Sequence, residues 1–188
     1  MTEEEQSHVK DLSVSLGQAN LYSLALALPP LAVLFGIYLV LSPGEGLASA
    51  HLTVVSGVVF LAFLLLGIVV HEVIHGVAWA LFGGLPLKRI RFGLAASTLT
   101  PYAHALDPLP AGAYRLGALL PAVVLGILPF AVGAAVGSLM LTMYGMAFVF
   151  AAGGDLLVLW LIRKVGRNVR VQDHPTRAGC IVLEDGGR

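Results

Sequence analysis

The sequence predicts an all-α membrane protein, a four-transmembrane-helix bundle with a small β-hairpin in its middle loop. Three observations carry that expectation. Of 188 residues, 57% are hydrophobic and only 12% charged, against about 25% charged in an ordinary soluble domain. The apolar residues gather into four runs long enough to cross a bilayer. Lys and Arg cluster on alternate connections between those runs, as the positive-inside rule requires.

Residues 1–20 form a polar N-terminal segment that opens with Glu3, Glu4 and Glu5. The first span runs from Leu21 to Leu41, with Pro29-Pro30 expected to kink it and SPGEG to end it. It reads as a signal anchor: a cleaved leader has a basic start and a shorter apolar core, although Ala48-Ser49-Ala50 resembles a cleavage site. The second span, Leu52 to Phe82, stops at Gly83-Gly84 and Pro86. Leu85 to Asp107 is the middle loop. Its stretches LKRIRFGL and STLTPYAHA both alternate in the period of a strand, which predicts the hairpin; an amphipathic interfacial loop is the other reading. Tyr114–Val136 and Leu139–Ile162 are the third and fourth spans, joined by a tight turn near Gly137. Residues 163–188 are a basic tail, leaving 21–162 as the membrane domain.

Formal net charge is zero, so no global charge points to nucleic acid. The single Cys180 rules out an internal disulfide and a cysteine-rich metal site; it reads as a small residue in a tail strand. Lys10, then Lys88, Arg89, Arg91 and Arg115, then Arg163, Lys164, Arg167, Arg170, Arg177 and Arg188 all fall on one side of the predicted spans. The opposite connections, around 42–51 and Gly137, carry none. Both termini, the middle loop and the opening of the site described next are therefore expected on the cytoplasmic side of a cell membrane.

Inside the second span stands HEVIH, His71 to His75. Ionisable groups in an apolar span are costly and mark functional sites. Residues 71 and 75 are one helical turn apart, so both imidazoles can grip one Zn²⁺, and Glu72 can act as general base on water. The competing reading is a pair of buried histidines hydrogen-bonded across helices. His75 lies seven residues from Phe82 at the cytoplasmic end, about 10 Å deep at 1.5 Å per residue. Asp155, the one acid of span four, also lies seven residues from its end at Ile162. A catalytic zinc takes three protein ligands, and Asp155 would be the third. The run Ala151-Ala152-Gly153-Gly154 before it removes side-chain bulk and lets helices approach. Otherwise Asp155 is a lone acid satisfied by a hydroxyl or water.

His104, in TPYAHALDP, is within reach of this level as a substrate contact, a hydrogen-bond donor in the transition state or a supporting group; a plain interfacial histidine fits as well. His8 and His174 lie in polar tails and His51 at the far interface. Glu5, Glu45 and Asp107 read as loop or tail acids, and Asp11, Asp173 and Asp185 as solvated. A hairpin beside the metal would offer an open edge to an extended substrate. The expected partners are thus the lipid bilayer and a membrane protein or peptide substrate. Two other functions use the same residues: a non-catalytic zinc-binding scaffold, and an ion or proton relay through His71, Glu72 and Asp155. No inverted repeat of the kind common in transporters is visible.

Taken together, HEVIHGVAWALFGG, TPYAHALDP, ALLPAVVLG, AAGGDLLVL and DHPTRAGCIVLED resemble the putative zincin peptidase family of small multi-pass membrane proteins over about residues 50–185. That family is itself similar to the site-2 intramembrane metalloproteases. The resemblance implies zinc on His71, His75 and Asp155 with Glu72 as base. In the site-2 proteases the third ligand follows an Asn-Pro…Asp-Gly pattern; here Gly153-Gly154 precede Asp155, Leu156-Leu157 follow it, and Pro121 has no Asn beside it.

Overall fold

A computed structural model describes residues 9–41, 53–95 and 100–183. His8, His51, Glu5, Glu45, Asp185, the SPGEG turn and Ala48-Ser49-Ala50 lie outside the described residues. Strand β1 (Val9–Val14) leads into helix α1 (Leu16–Leu41), which starts five residues earlier than its apolar run. Ser15 and Gln18 bond reciprocally at its entry, and Pro29 and Pro30 sit within the helix.

Helix α2 (Val54–Gly83) begins at a capping box in which Thr53 and Ser56 satisfy each other's backbone N–H. It ends at Gly84, whose φ of 67° only glycine adopts without strain. The hairpin then forms from β2 (Ile90–Ala95) and β3 (Thr100–Ala105), antiparallel and in register from Ile90↔Ala105 to Ala95↔Thr100. β4 (Leu109–Pro110) turns the chain into the third span.

That span is not one regular helix. α3 (Ala111–Pro121) passes into a π-helical segment, Ala122–Ile127, and then α4 (Leu128–Val136). Gly137 in the left-handed region and the Ser138 N-cap make the tight turn into α5 (Leu139–Ala151). α6 (Gly153–Leu161) completes the fourth span, and β5 (Arg170–Asp173) and β6 (Ala178–Leu183) follow. All four spans are long and apolar enough to cross a membrane. Large apolar side chains such as Val33, Phe35, Val58, Leu61 and Leu65 point outward from α1 and α2, the inverse of a water-soluble bundle.

Two sheets sit at one end of the bundle. The hairpin is one; the other is four-stranded, in the order β1-β6-β5-β4. The polar N-terminal segment and the basic tail thus contribute strands, and Cys180 is fully buried in β6. The main core lies where helix ends meet the sheets, around Trp79, Ile90, Leu109, Tyr114, Ile162 and Val171. α2 packs chiefly on α3, and α1 on α5 and α6. Arg115 of α3 caps α6 by donating to the carbonyls of Ile162 and Val165, satisfying groups that every helix C-terminus leaves open.

Candidate metal centre

The i, i+4 spacing does what helix geometry requires. His71 and His75 project from one face of α2 with ring centroids 4.8 Å apart, and both are buried. Asp155 enters from α6. Its two carboxylate oxygens meet one imidazole each, Oδ2 at 3.1 Å from His71 Nε2 and Oδ1 at 3.2 Å from His75 Nε2. Residues 84 positions apart in sequence thus converge on one point between α2 and α6. One ligand-type atom each from His71, Glu72 and His75 also falls within a common 4.8 Å. Two nitrogens and a carboxylate in this arrangement are a donor set that suits Zn²⁺.

Two carboxylates compete for the third position. Asp155 faces both Nε2 atoms, whereas Glu72 Oε2 accepts the Ala103 N–H at 2.7 Å. That bond ties Glu72 to β3 and leaves Asp155 as the carboxylate that both imidazoles face.

The orientation of His75 rests on a feature of α3 that sequence reasoning passed over. Its Nδ1 lies 3.0 Å from the carbonyl oxygen of Gly117. In an α-helix that oxygen would accept the N–H of residue 121, but residue 121 is proline and has none. The carbonyl is free to accept His75 Nδ1–H, which turns Nε2 toward Asp155, the supporting contact typical of a metal-binding imidazole. Pro121 four residues after Gly117 was the signal. Gly117 also has to be glycine, since a Cβ there would stand 2.2 Å from Trp79 Nε1. Trp79 stacks on His75 and Tyr114 stacks on Trp79, at 5.5 and 5.4 Å between centroids. The column walls one side of the centre.

Of the small residues before Asp155, Gly153 and Gly154 behave differently. A Cβ on Gly153 would meet Ser23 O of α1 at 2.6 Å, while one on Gly154 would meet nothing within 4 Å. The close approach is thus to α1, on the far side of α6 from the histidines.

His104 lines the same cavity of about 600 Å³ as Glu72, His75 and Asp155. Its Nδ1 is 3.2 Å from Asp173 Oδ2. Asp173 corrects an expectation, for it is not solvated. It lies largely withdrawn from solvent against β3 and α3, where its carboxylate accepts the Ala105 N–H at 2.8 Å and the Tyr114 hydroxyl. Burial pushes its carboxyl above the usual range, more than these bonds lower it. The outer edge of β3 is likewise less open than its alternation suggested. Pro101 offers no N–H, Ala103 gives its own to Glu72 and Ala105 to Asp173. A strand adding here would have to displace a carboxylate or use carbonyls alone.

Asp107 pairs with Arg89 at the surface, and His174 and Arg177 approach Asp11 at 3.9 and 4.0 Å. Asp107, Arg89, Asp11 and Arg177 are exposed, and ion pairs with such partners carry small energetic weight.

Comparison with known proteins adds one relation. The sequence profile of a family described as "putative zincin peptidase" matches residues 64–170, a stretch holding His71, Glu72, His75, His104 and Asp155 but not Asp173. Neither a curated protein nor a solved structure matches the chain. With more than half of its length matched, the chain belongs to the putative zincin peptidase family.

Proposed function

We propose that this protein is a zinc-dependent, membrane-embedded metallopeptidase that hydrolyses peptide bonds within or beside the bilayer. The observation that carries the reading is the convergence of both His Nε2 atoms on the Asp155 carboxylate, with Glu72 on the same helix facing the same cavity. His71, His75 and Asp155 would hold the ion. Zn²⁺, when bound, supplies a Lewis acid that polarises the scissile carbonyl and brings the pKa of its water toward about 7.

Glu72 then takes a proton from water as the water oxygen bonds to the carbonyl carbon. As the C–N bond breaks, Glu72 returns that proton to the departing amine. The Ala103 N–H keeps its carboxylate aimed and its second oxygen available. Gly117 holds His75 in the tautomer that leaves Nε2 as ligand. Outward apolar side chains on α1 and α2 support helices surrounded by lipid, and the alternating Lys and Arg distribution supports a cytoplasmic opening. The substrate class that fits is a membrane protein or a membrane-bound peptide.

The test is metal analysis of the purified full chain together with cleavage of a co-expressed membrane substrate. The expected result is one zinc per chain, lost in His71→Ala and Asp155→Ala, and a Glu72→Gln variant that keeps zinc but does not cleave. Cleavage by Glu72→Gln at the unmodified rate would refute the role of Glu72. Absence of zinc from the intact protein would refute the metallopeptidase.

A further inference from the structure

Asp173 belongs to the sheet outside the bundle, yet it is bound to both walls of the cavity. Toward the hairpin it receives the Ala105 N–H and faces His104 Nδ1; toward α3 it receives the Tyr114 hydroxyl. Three donors converging on two oxygens suit an ionised carboxylate, which can only accept. A bond from Nδ1 fixes the plane of the His104 ring. Nε2 is then the ring nitrogen left for the cavity, and it bonds to none of the described residues.

β3 fixes the distance between this ring and the base. Ala103 binds Glu72 through its backbone, and His104 is the next residue. Within the hairpin His104 pairs with Arg91, and both line the cavity together with Tyr102. The same strand thus positions both Glu72 and His104.

Resting on the peptidase reading above, we propose that His104 is a catalytic residue whose Nε2–H donates to the substrate carbonyl oxygen as negative charge develops there. Asp173 is the positioning residue that holds it. In a protonated imidazole both nitrogens donate: one serves Asp173 and the other the substrate oxygen. No bond to His104 is made or broken; the water proton still travels through Glu72. Removing one donor aimed at developing charge typically costs about 10²–10³ in kcat.

The experiment uses the full chain in detergent, zinc-loaded, with a fluorogenic peptide containing an apolar membrane-type segment. A peptide phosphinate, whose tetrahedral P–O⁻ copies the charged oxygen, serves as a second probe. His104→Ala is expected to lower kcat by about 10²–10³ with KM changed less than about threefold, to weaken phosphinate binding by a similar factor, and to keep its zinc. His104→Gln, which retains an N–H of similar reach, is expected to recover part of the loss. Asp173→Asn is expected to lower kcat in the parent protein but to add nothing in a His104→Ala background, because it acts through that ring. Unchanged kcat and phosphinate affinity in His104→Ala would overturn the proposal while leaving the peptidase standing. So would a loss that tracks zinc content, or additive effects of the two substitutions. A parent protein that takes up no zinc would overturn the reading on which the proposal rests.

Discussion

Two adjacent glycines allow the geometry around Asp155 to be tested with one methyl group. A Cβ on Gly153 would stand 2.6 Å from Ser23 O, and ordinary contact begins at 3.4 Å, so α6 must retreat from α1 by about 0.8 Å. Ser23 O is backbone and cannot rotate away. Overpacking of this kind costs about 1–3 kcal/mol, partly offset by the roughly 1 kcal/mol that Ala gains over Gly in a helix. Asp155 follows two residues later, 3.1 and 3.2 Å from the two imidazoles. Metal–ligand distances tolerate about 0.2 Å, so a shift several times larger should weaken zinc by at least about tenfold. Gly154→Ala meets no atom within 4 Å and should be neutral or stabilising by up to about 1 kcal/mol. Chelator competition in detergent gives the affinities, and thermal unfolding of the metal-free proteins gives the stabilities. Equal zinc affinity in the two variants would refute the argument that α1 sets the position of Asp155.

Three further outcomes are expected. Pro121→Ala restores an N–H that competes with His75 for the Gly117 carbonyl, and zinc affinity should fall about tenfold, the lower end for loss of a supporting contact; chelator competition would show it. Burial pushes the Cys180 thiol up to about 12 from 9.0, so its thiolate fraction is about 10³ lower than that of a free thiol and maleimide labelling at pH 8 should wait for unfolding. Because burial raises the Asp173 carboxyl in the folded state, its contribution to stability is complete below about pH 3.8 and is lost as pH rises through the folded pKa. Over that acid range the thermal midpoint of the parent should carry a downward component with rising pH that Asp173→Asn lacks.

What could be read from the chain depended on how far apart the interacting residues lie and how unusual each is in its setting. HEVIH is a five-residue pattern on one helix, and its two rings meet because 3.6 residues make a turn. Asp155 stood out because an acid in an apolar span needs a reason, and the span ends gave its level. The hairpin declared itself through alternation: β3 falls within STLTPYAHA, and β2 runs one residue past LKRIRFGL, to Ala95. Asp173 was hidden by the same logic: in a polar tail an acid needs no explanation. Its withdrawal from solvent arises only where β5 meets β3 and α3, a long-range event that leaves no local pattern. Gly153 and Gly154 are equivalent in sequence, and only the approach of α1 tells them apart.

The four-stranded sheet has a consequence for biogenesis. Its inner strand β6 is made after all four spans, and it pairs with β1, made before them. During synthesis β1 must therefore wait, unpartnered, while the segments between it and β6 are translated; at about 5–20 residues per second that takes on the order of ten seconds or more. The partners can meet only if an even number of spans has been threaded, so a chain that skips one span leaves β1 and β6 on opposite faces of the bilayer. Where the skipped span is the third or the fourth, Asp173 would also be parted from Ala105 and His104, and the cavity would have one wall fewer. Such a chain would carry HEVIH without the carboxylate that ties the hairpin and α3 together beside it.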